Sequence, residues 1–175
     1  MTGSFIERTA RSVAWIMWLG RGLFFTVVLL LLVMRSVVTA IRIDGHSMDP
    51  TLQDGQWVFV DLISKYSSGW NKGDVVILRF PGDPIHSIYV KRIIGVPGDK
   101  ISIENGKVFR NGTLLDEHYV LAGMGTSSGV VKLPEVVPED KYIVFGDNRE
   151  ISNDSRYFGL VPKSELIGKV ILGQQ

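Results

Sequence analysis

The 175-residue chain contains no cysteine and only three histidines, His46, His86 and His118. Covalent chemistry would therefore fall to hydroxyls, carboxylates, amines or the backbone, and a serine is a weak nucleophile until a neighbouring base takes its proton. Ser47 lies in the segment Asp44-Gly45-His46-Ser47-Met48-Asp49-Pro50-Thr51-Leu52, which suits a side chain presented on a sharp turn. His46 is badly placed as its base, because consecutive side chains in extended chain point to opposite faces; it reads as a turn histidine. His86 and His118 lack metal-ligand spacing, so no metal and no other cofactor is expected. A lysine can replace the imidazole if burial disfavours its charged form. In Tyr89-Val90-Lys91-Arg92-Ile93, strand alternation puts Lys91 on one face with Tyr89 and Ile93. A strand lysine is more often a solvated edge residue, and the residues alone leave both readings open. No Ser-x-x-Lys tetrad occurs, which excludes the helical serine and lysine arrangement.

A third polar segment, Gly146 to Gly159, follows an apolar run. Its Asp147, Asn148, Arg149, Ser152, Asp154 and Arg156 suit a network of charge-assisted hydrogen bonds. The two arginines among so few carboxylates argue against a calcium loop. No basic stripe interleaves with aromatics, so nucleic acid is not an expected partner.

The elements that must carry these segments read as short strands between turn signals: 57–61, 74–80, 88–94, 100–104, 107–110, 142–145 and 168–172. Asn105-Gly106 and Asn111-Gly112 signal tight hairpins, since a type I′ turn needs positive φ at both central residues. Pro81-Gly82-Asp83 and Pro97-Gly98-Asp99 mark further turns. Residues 163–167 suggest one helical turn, and 124–129, with two glycines and no periodicity, a mobile loop. The expected fold class is mostly β, a folded antiparallel sheet or barrel, preceded by one N-terminal transmembrane helix. Residues 13–34 hold 18 apolar residues in 22, interrupted by Gly20, Arg21, Gly22 and Thr26, and about 20 mostly apolar residues cross a bilayer. The alternatives are a buried core helix and a signal peptide cleaved after Val38-Thr39-Ala40. Flanking arginines on both sides leave orientation weakly marked. The domain division is a tail at 1–12, an anchor at 13–34 and a β-rich domain at 35–175.

The three polar segments together resemble type I signal peptidases, the membrane-bound leader peptidases of bacteria with relatives in thylakoids and the mitochondrial inner membrane. The family's Ser-Met-x-Pro-Thr-Leu box appears as Ser47 to Leu52 and its Lys-Arg-x-x-Gly-x-Pro-Gly-Asp box as Lys91 to Asp99. Its Gly-Asp-Asn-x-x-x-Ser-x-Asp-Ser-Arg-x-x-Gly box appears as Gly146 to Gly159. Members of the endoplasmic reticulum type have histidine where Lys91 stands, so the bacterial or organellar type is implied, in its compact single-anchor form. The resemblance implies a serine endopeptidase that removes signal peptides from exported preproteins at Ala-x-Ala-like sites, with Ser47 as nucleophile and Lys91 as general base. Ser152 would orient the Lys91 amine, while Asp147, Arg92, Asp154 and Arg156 act as supporting ion pairs. The substrate would add as a strand beside 41–45 and 86–90, with Ile41, Ile43, Gly45, Met48, Leu52, Tyr89 and Val90 around its side chains. The implied partners are signal peptides and the lipid bilayer, with no obligate protein partner. The implied location is the plasma membrane or a thylakoid membrane, catalytic domain on the extracytoplasmic face. One departure is Gly45, where some members carry a serine that helps the oxyanion hole; restoring serine there is expected to be neutral or modestly faster. A self-cleaving Ser-Lys protease and a catalytically silent tethered module are the competing readings.

Overall fold

The computed structural model describes residues 3–67, 69–83, 85 and 87–171; the side chains of 3–14, 16, 33–36, 65 and 67 also lie outside the described residues. The chain divides into two compact units, Met1–Val37 and Val38–Gln175. The first is a single helix, α1 (Gly3–Val37). From Trp15 to Leu32 its described large apolar side chains, Trp18, Leu23 and Phe25 among them, are mostly exposed. Among the described residues no helix is long and apolar enough to cross a membrane, and residues 13, 14, 16, 33 and 34 of the apolar stretch have no described side chain.

The second unit is β-rich. Its strands are β1 (Val38–Arg42), β2 (Trp57–Asp61), β3 (Val75–Arg79), β4 (Ile88–Gly95), β5 (Ile101–Glu104), β6 (Lys107–Arg110), β7 (Thr113–Leu114), β8 (Lys141–Phe145), β9 (Val161–Pro162) and β10 (Leu166–Ile171). Seven form an antiparallel sheet in the order β1-β2-β10-β3-β4-β8-β9, and β5-β6-β7 form a second sheet. The seven expected strands are all present with ends shifted by at most two residues; His86 and Leu172, which the sequence placed in or beside strands, lie outside the described residues. Both Asn-Gly pairs turn hairpins with positive φ throughout, 51° and 76° at Asn105 and Gly106 and 53° and 78° at Asn111 and Gly112.

Two-residue alternation explains how the sheets pack. In β2, Trp57 and Phe59 face outward while Val58 and Val60 are buried. β3 is central and buried on both faces: Val75 and Ile77 join one apolar cluster with Ile43, Met48, Leu52, Val58, Val60 and Val170. Val76 and Leu78 join another with Trp70, Ile93, Tyr142, Val144, Val161 and Leu166. A third cluster, built on Ile94, Ile101, Val108, Val137, Ile143 and Phe145, ties the small sheet to β4 and β8. Two register shifts bend the large sheet, at Ile93/Gly95 and at Leu166/Gly168.

Five elements were not foreseen. β1 hides at the end of the apolar run, β7 and β9 have two residues each, and α2 (Ser64–Ser67) and α3 (Ser155–Phe158) are single turns. The expected turn at 163–167 is a 3-10 turn, Lys163–Glu165, leading directly into β10. The expectation of a mobile loop at 124–129 is corrected. Thr126 is buried, its amide bonds Gly106 O at 2.9 Å and its hydroxyl accepts from Arg149 Nη1 at 2.7 Å. Gly129 lies so close to the Arg156 backbone that a Cβ there would overlap it.

Candidate active site

Ser47 stands on the turn between β1 and β2, held from both ends. Ile43 N–H bonds Gln56 O at 2.8 Å, Gly55 N–H bonds Ile43 O at 2.9 Å, and Leu52 N–H bonds Met48 O at 3.0 Å. The turn requires φ of +92° at Gly45, a conformation that costs residues with a Cβ about 1–2 kcal/mol. Open space surrounds the position, so strain rather than crowding opposes a serine there. The expectation of a neutral or faster Gly45→Ser is accordingly replaced by one of a strained turn. Gly45 N–H is also committed, donating to Asp54 Oδ1 at 2.8 Å, and this bond holds the Asp54 carboxyl below its ordinary range. His46 is exposed and lies 3.0 Å from Asp49 Oδ2 through Nδ1, paired away from chemistry.

Strand β4 delivers Lys91 to this turn. Its Nζ donates to Ser47 Oγ at 2.7 Å and to Val90 O at 2.9 Å, and the residue is 3% exposed. Tyr89, two residues earlier on the same face, stacks on Phe80 with ring centroids 4.9 Å apart and stands 5.2 Å from Nζ. Burial pushes the Lys91 pKa down to about 8, against the upward pull of Asp154 and Asp147 and with a smaller downward push from Arg156. An amine so placed has an accessible neutral form near physiological pH, which an ordinary lysine lacks.

The segment after β8 closes over the pair from behind. Asn148 N–H donates to Ser47 O at 3.1 Å. A Cβ on Gly146 would overlap both Ser47 O and Ser152 Oγ, so only glycine permits this approach. Asp147, fully buried, accepts both Arg92 Nε at 2.8 Å and Nη2 at 2.6 Å, and also Thr51 Oγ1 at 2.5 Å. Asp154 caps α3, accepting from Arg156 N at 3.2 Å and Gly146 N at 3.0 Å. It also forks with Arg156, Nε at 2.8 Å and Nη2 at 2.7 Å. The four residues expected as ion pairs thus form two bidentate pairs, Arg92 with Asp147 and Arg156 with Asp154. Ser152 departs from expectation: its hydroxyl is buried beside Gly146 and has no hydrogen-bond partner among the described residues. Lys91 instead bonds the Ser47 hydroxyl and its own strand.

The residues expected around a substrate divide by burial. Ile43, Met48 and Leu52 are core, while Ile41 and Val90 pack half-buried against that same cluster and present surface. Tyr89 belongs to the second cluster. β1 is a sheet edge, and β4 before Arg92 has β3 alone as a ladder partner among the described residues. Sequence reasoning missed Glu117, Tyr119 and Thr126, which contact Arg149 or Arg92 from the segment after β7; no local pattern marks them.

A family model for signal peptidase, peptidase S26, matches residues 15–173. The signal peptidase IB of Staphylococcus aureus strain N315 is 41% identical over 157 residues, covering 82% of this chain and 81% of the relative. A probable signal peptidase I-2 of Synechocystis is 36% identical over 159 residues, covering 88% and 71%. The crystal structure of a signal peptidase I from Enterococcus faecalis V583 is similar with a TM-score of 0.51 and 29% identity, over 58% of this chain and 97% of that one. With the family model spanning residues 15–173, around a buried lysine bonded to a turn serine, the chain belongs to the signal peptidases of peptidase family S26.

Proposed function

We propose that this chain is a membrane-anchored signal peptidase I that removes N-terminal signal peptides from exported preproteins, with Ser47 as nucleophile and Lys91 as general base. The observation that carries this reading is the 2.7 Å contact between Lys91 Nζ and Ser47 Oγ with the lysine almost fully buried. With the lysine neutral, the same separation lets the Ser47 hydroxyl donate to Nζ. The amine takes that proton as Oγ attacks the scissile carbonyl, and backbone N–H, that of Ser47 included, supplies the donors for the developing oxyanion. The ammonium then gives its proton to the leaving nitrogen, and the C–N bond breaks to leave acyl-Ser47. Neutral again, Lys91 takes a proton from the water that attacks the ester; as the tetrahedral adduct collapses the C–Oγ bond breaks, the ammonium returns that proton to Ser47 Oγ, and the carboxylic product leaves.

The substrate enters as an added strand between the open edges of β1 and β4, where main-chain bonds give affinity and alternate side chains are read by pockets. Ile41 and Val90 offer shallow apolar walls, consistent with Ala-x-Ala-like selection. The exposed apolar side chains of α1 support its role as a single-pass anchor: Trp15 is 68% and Phe25 67% exposed. In this reading the β-rich unit works on the extracytoplasmic face.

Four outcomes are expected. Alkaline carbonate extraction of membranes leaves the full chain with the bilayer; release into the supernatant would refute the anchor. Ser47→Ala and Lys91→Ala each reduce processing of a labelled preprotein by at least about a thousandfold with the β unit still folded, and substantial residual cleavage by either purified variant would remove the dyad. The cleavage rate should rise through a pKa near 8. Below about pH 7 it falls about tenfold per unit, and a flat profile there is incompatible with a lysine base. Finally, the Lys91 pKa lies below the usual lysine value of 10.5, so the unfolded chain holds this proton more tightly and burial of the lysine destabilises the fold. That penalty is fullest below about pH 8 and fades as pH rises to 10.5. Lys91→Met is expected to stabilise the protein at pH 7 by on the order of 2–3 kcal/mol, measured by urea unfolding in detergent; a destabilised variant would contradict the depressed pKa.

A further inference from the structure

One of the two ion pairs whose carboxylates act on the lysine, Arg92 with Asp147, is covered by a residue from a separate segment. Arg92 spends its in-plane donors on Asp147, Gly73 O at 2.8 Å and, more weakly, Thr51 Oγ1 at 3.4 Å. Its flat face lies 4.0 Å from the ring centroid of Tyr119, a residue 27 positions away in sequence on the segment after β7. Tyr119 is itself anchored. Its hydroxyl donates to Glu117 Oε1 at 3.2 Å, and Glu117 receives Arg149 Nη2 at 2.5 Å and Nη1 at 3.1 Å. Arg149, 1% exposed, reaches back through Nε to Gly146 O at 3.0 Å, the residue next to Asp147. The 117–119 segment therefore grips two elements, β4 at Arg92 and the loop after β8 at Arg149.

The cover borders on water. A groove of about 950 Å³ runs along the outer face of β2, lined by Trp57, Phe59, Ile171, Tyr119, Arg92 and Thr51 among others. Without the Tyr119 ring, that groove would open onto the Arg92–Asp147 fork. We propose that Tyr119, held by Glu117, is a positioning residue for catalysis: its ring keeps Arg92 locked on Asp147 and so keeps the Asp147 charge neutralised in the neighbourhood of Lys91. This inference rests on the Ser47–Lys91 reading.

The charged groups facing Lys91 set the sign of the effect. Asp147 from the loop after β8 and Asp154 at the start of α3 favour its protonated form, and Arg156 of α3 disfavours it; Ser47 and Tyr89 are the uncharged neighbours. Loosening Arg92 leaves the Asp147 charge less compensated, and the ammonium is then held more tightly.

The test is the pH dependence of kcat and KM for cleavage of a signal-peptide substrate by the full-length chain in detergent, comparing wild type with Tyr119→Leu, Tyr119→Phe and Glu117→Gln. Tyr119→Leu is expected to lower kcat about tenfold with KM within about twofold, and to move the acid limb to higher pH by about half a unit. Tyr119→Phe keeps the ring on Arg92 and should retain most of the activity and an unshifted limb. Glu117→Gln weakens the hold on the Tyr119 hydroxyl and on Arg149 together; it should lower kcat severalfold with the acid limb moved to higher pH, and that shift decides the matter should Tyr119→Leu fail to fold. The inference is overturned by folded Tyr119→Leu with wild-type kcat and acid limb, by a Tyr119→Phe loss as large as that of Tyr119→Leu, or by Glu117→Gln with unchanged kcat. A wild-type profile without an acid limb would instead remove the lysine base itself, so the two failures are distinguishable.

Discussion

A lysine ammonium taken out of water against a serine hydroxyl is the constraint around which the β unit is arranged. Burial alone disfavours its charged form, yet two fully buried carboxylates, Asp147 and Asp154, stand near enough to pull the proton back on. Each carries its own arginine in a bidentate fork. Those arginines make the carboxylates tolerable in the interior, where an uncompensated charge is costly, and they limit how strongly each carboxylate holds Lys91 protonated. The carboxylates are needed for another reason: Asp154 bonds the Gly146 amide and Asp147 bonds Thr51. They fasten the loop after β8 to the chain around it and, through Thr51, to the turn that carries Ser47. Structure and electrostatics are thus solved by the same two pairs.

Position follows from an equally local device. Gly146 is where the end of β8 passes against the Ser47 turn, with the Ser47 carbonyl and the Ser152 side chain too close to admit a Cβ. Asn148 N–H then closes on the same carbonyl. Ser47 is fixed through its backbone, leaving its hydroxyl free to meet Lys91. Because β4 runs between β3 and β8, the strand that carries Lys91 also pairs with the strand leading into the clasping loop. Lys91, Ser47 and the clasp are therefore coupled through a few strand ladders rather than through flexible connections.

What the sequence revealed and what it hid divide along the range of the interactions involved. β2, β6 and the two Asn-Gly hairpins depend on neighbours a few residues apart, and alternation with turn chemistry located them closely. β1 escaped because its Val38–Arg42 merges with the apolar run before it, and β7 and β9 are too short for any period. α3 had a readable start, since Asp154 before Ser155 is an N-cap signature, but one turn carries no helical periodicity. Ser47 and Lys91 stood out by residue type and motif. Glu117, Tyr119 and Thr126 did not, because ordinary residues on an irregular segment gain meaning only from arginines 23 to 32 positions away. The glycines of 124–129 misled in the same way: composition suggested mobility, whereas Gly129 is small because the Arg156 backbone occupies the space a side chain would take.

The proposed anchor changes what the peptide site must accomplish. An added strand between two open edges contributes main-chain bonds and two shallow contacts, Ile41 and Val90, which is modest recognition for a free peptide in solution. A signal peptide is itself held at the bilayer by its apolar segment, so enzyme and substrate tethered to one membrane meet at a high effective concentration. Affinity can then be weak, and discrimination can rest on whether small side chains let the strand approach Ser47 closely. The same weakness favours turnover, because a product strand held by few contacts leaves readily. On this argument the Val90 edge matters more to which bond is cut than to whether the substrate is bound, and the lysine base, carried by the next residue of that strand, shares its register with the specificity surface.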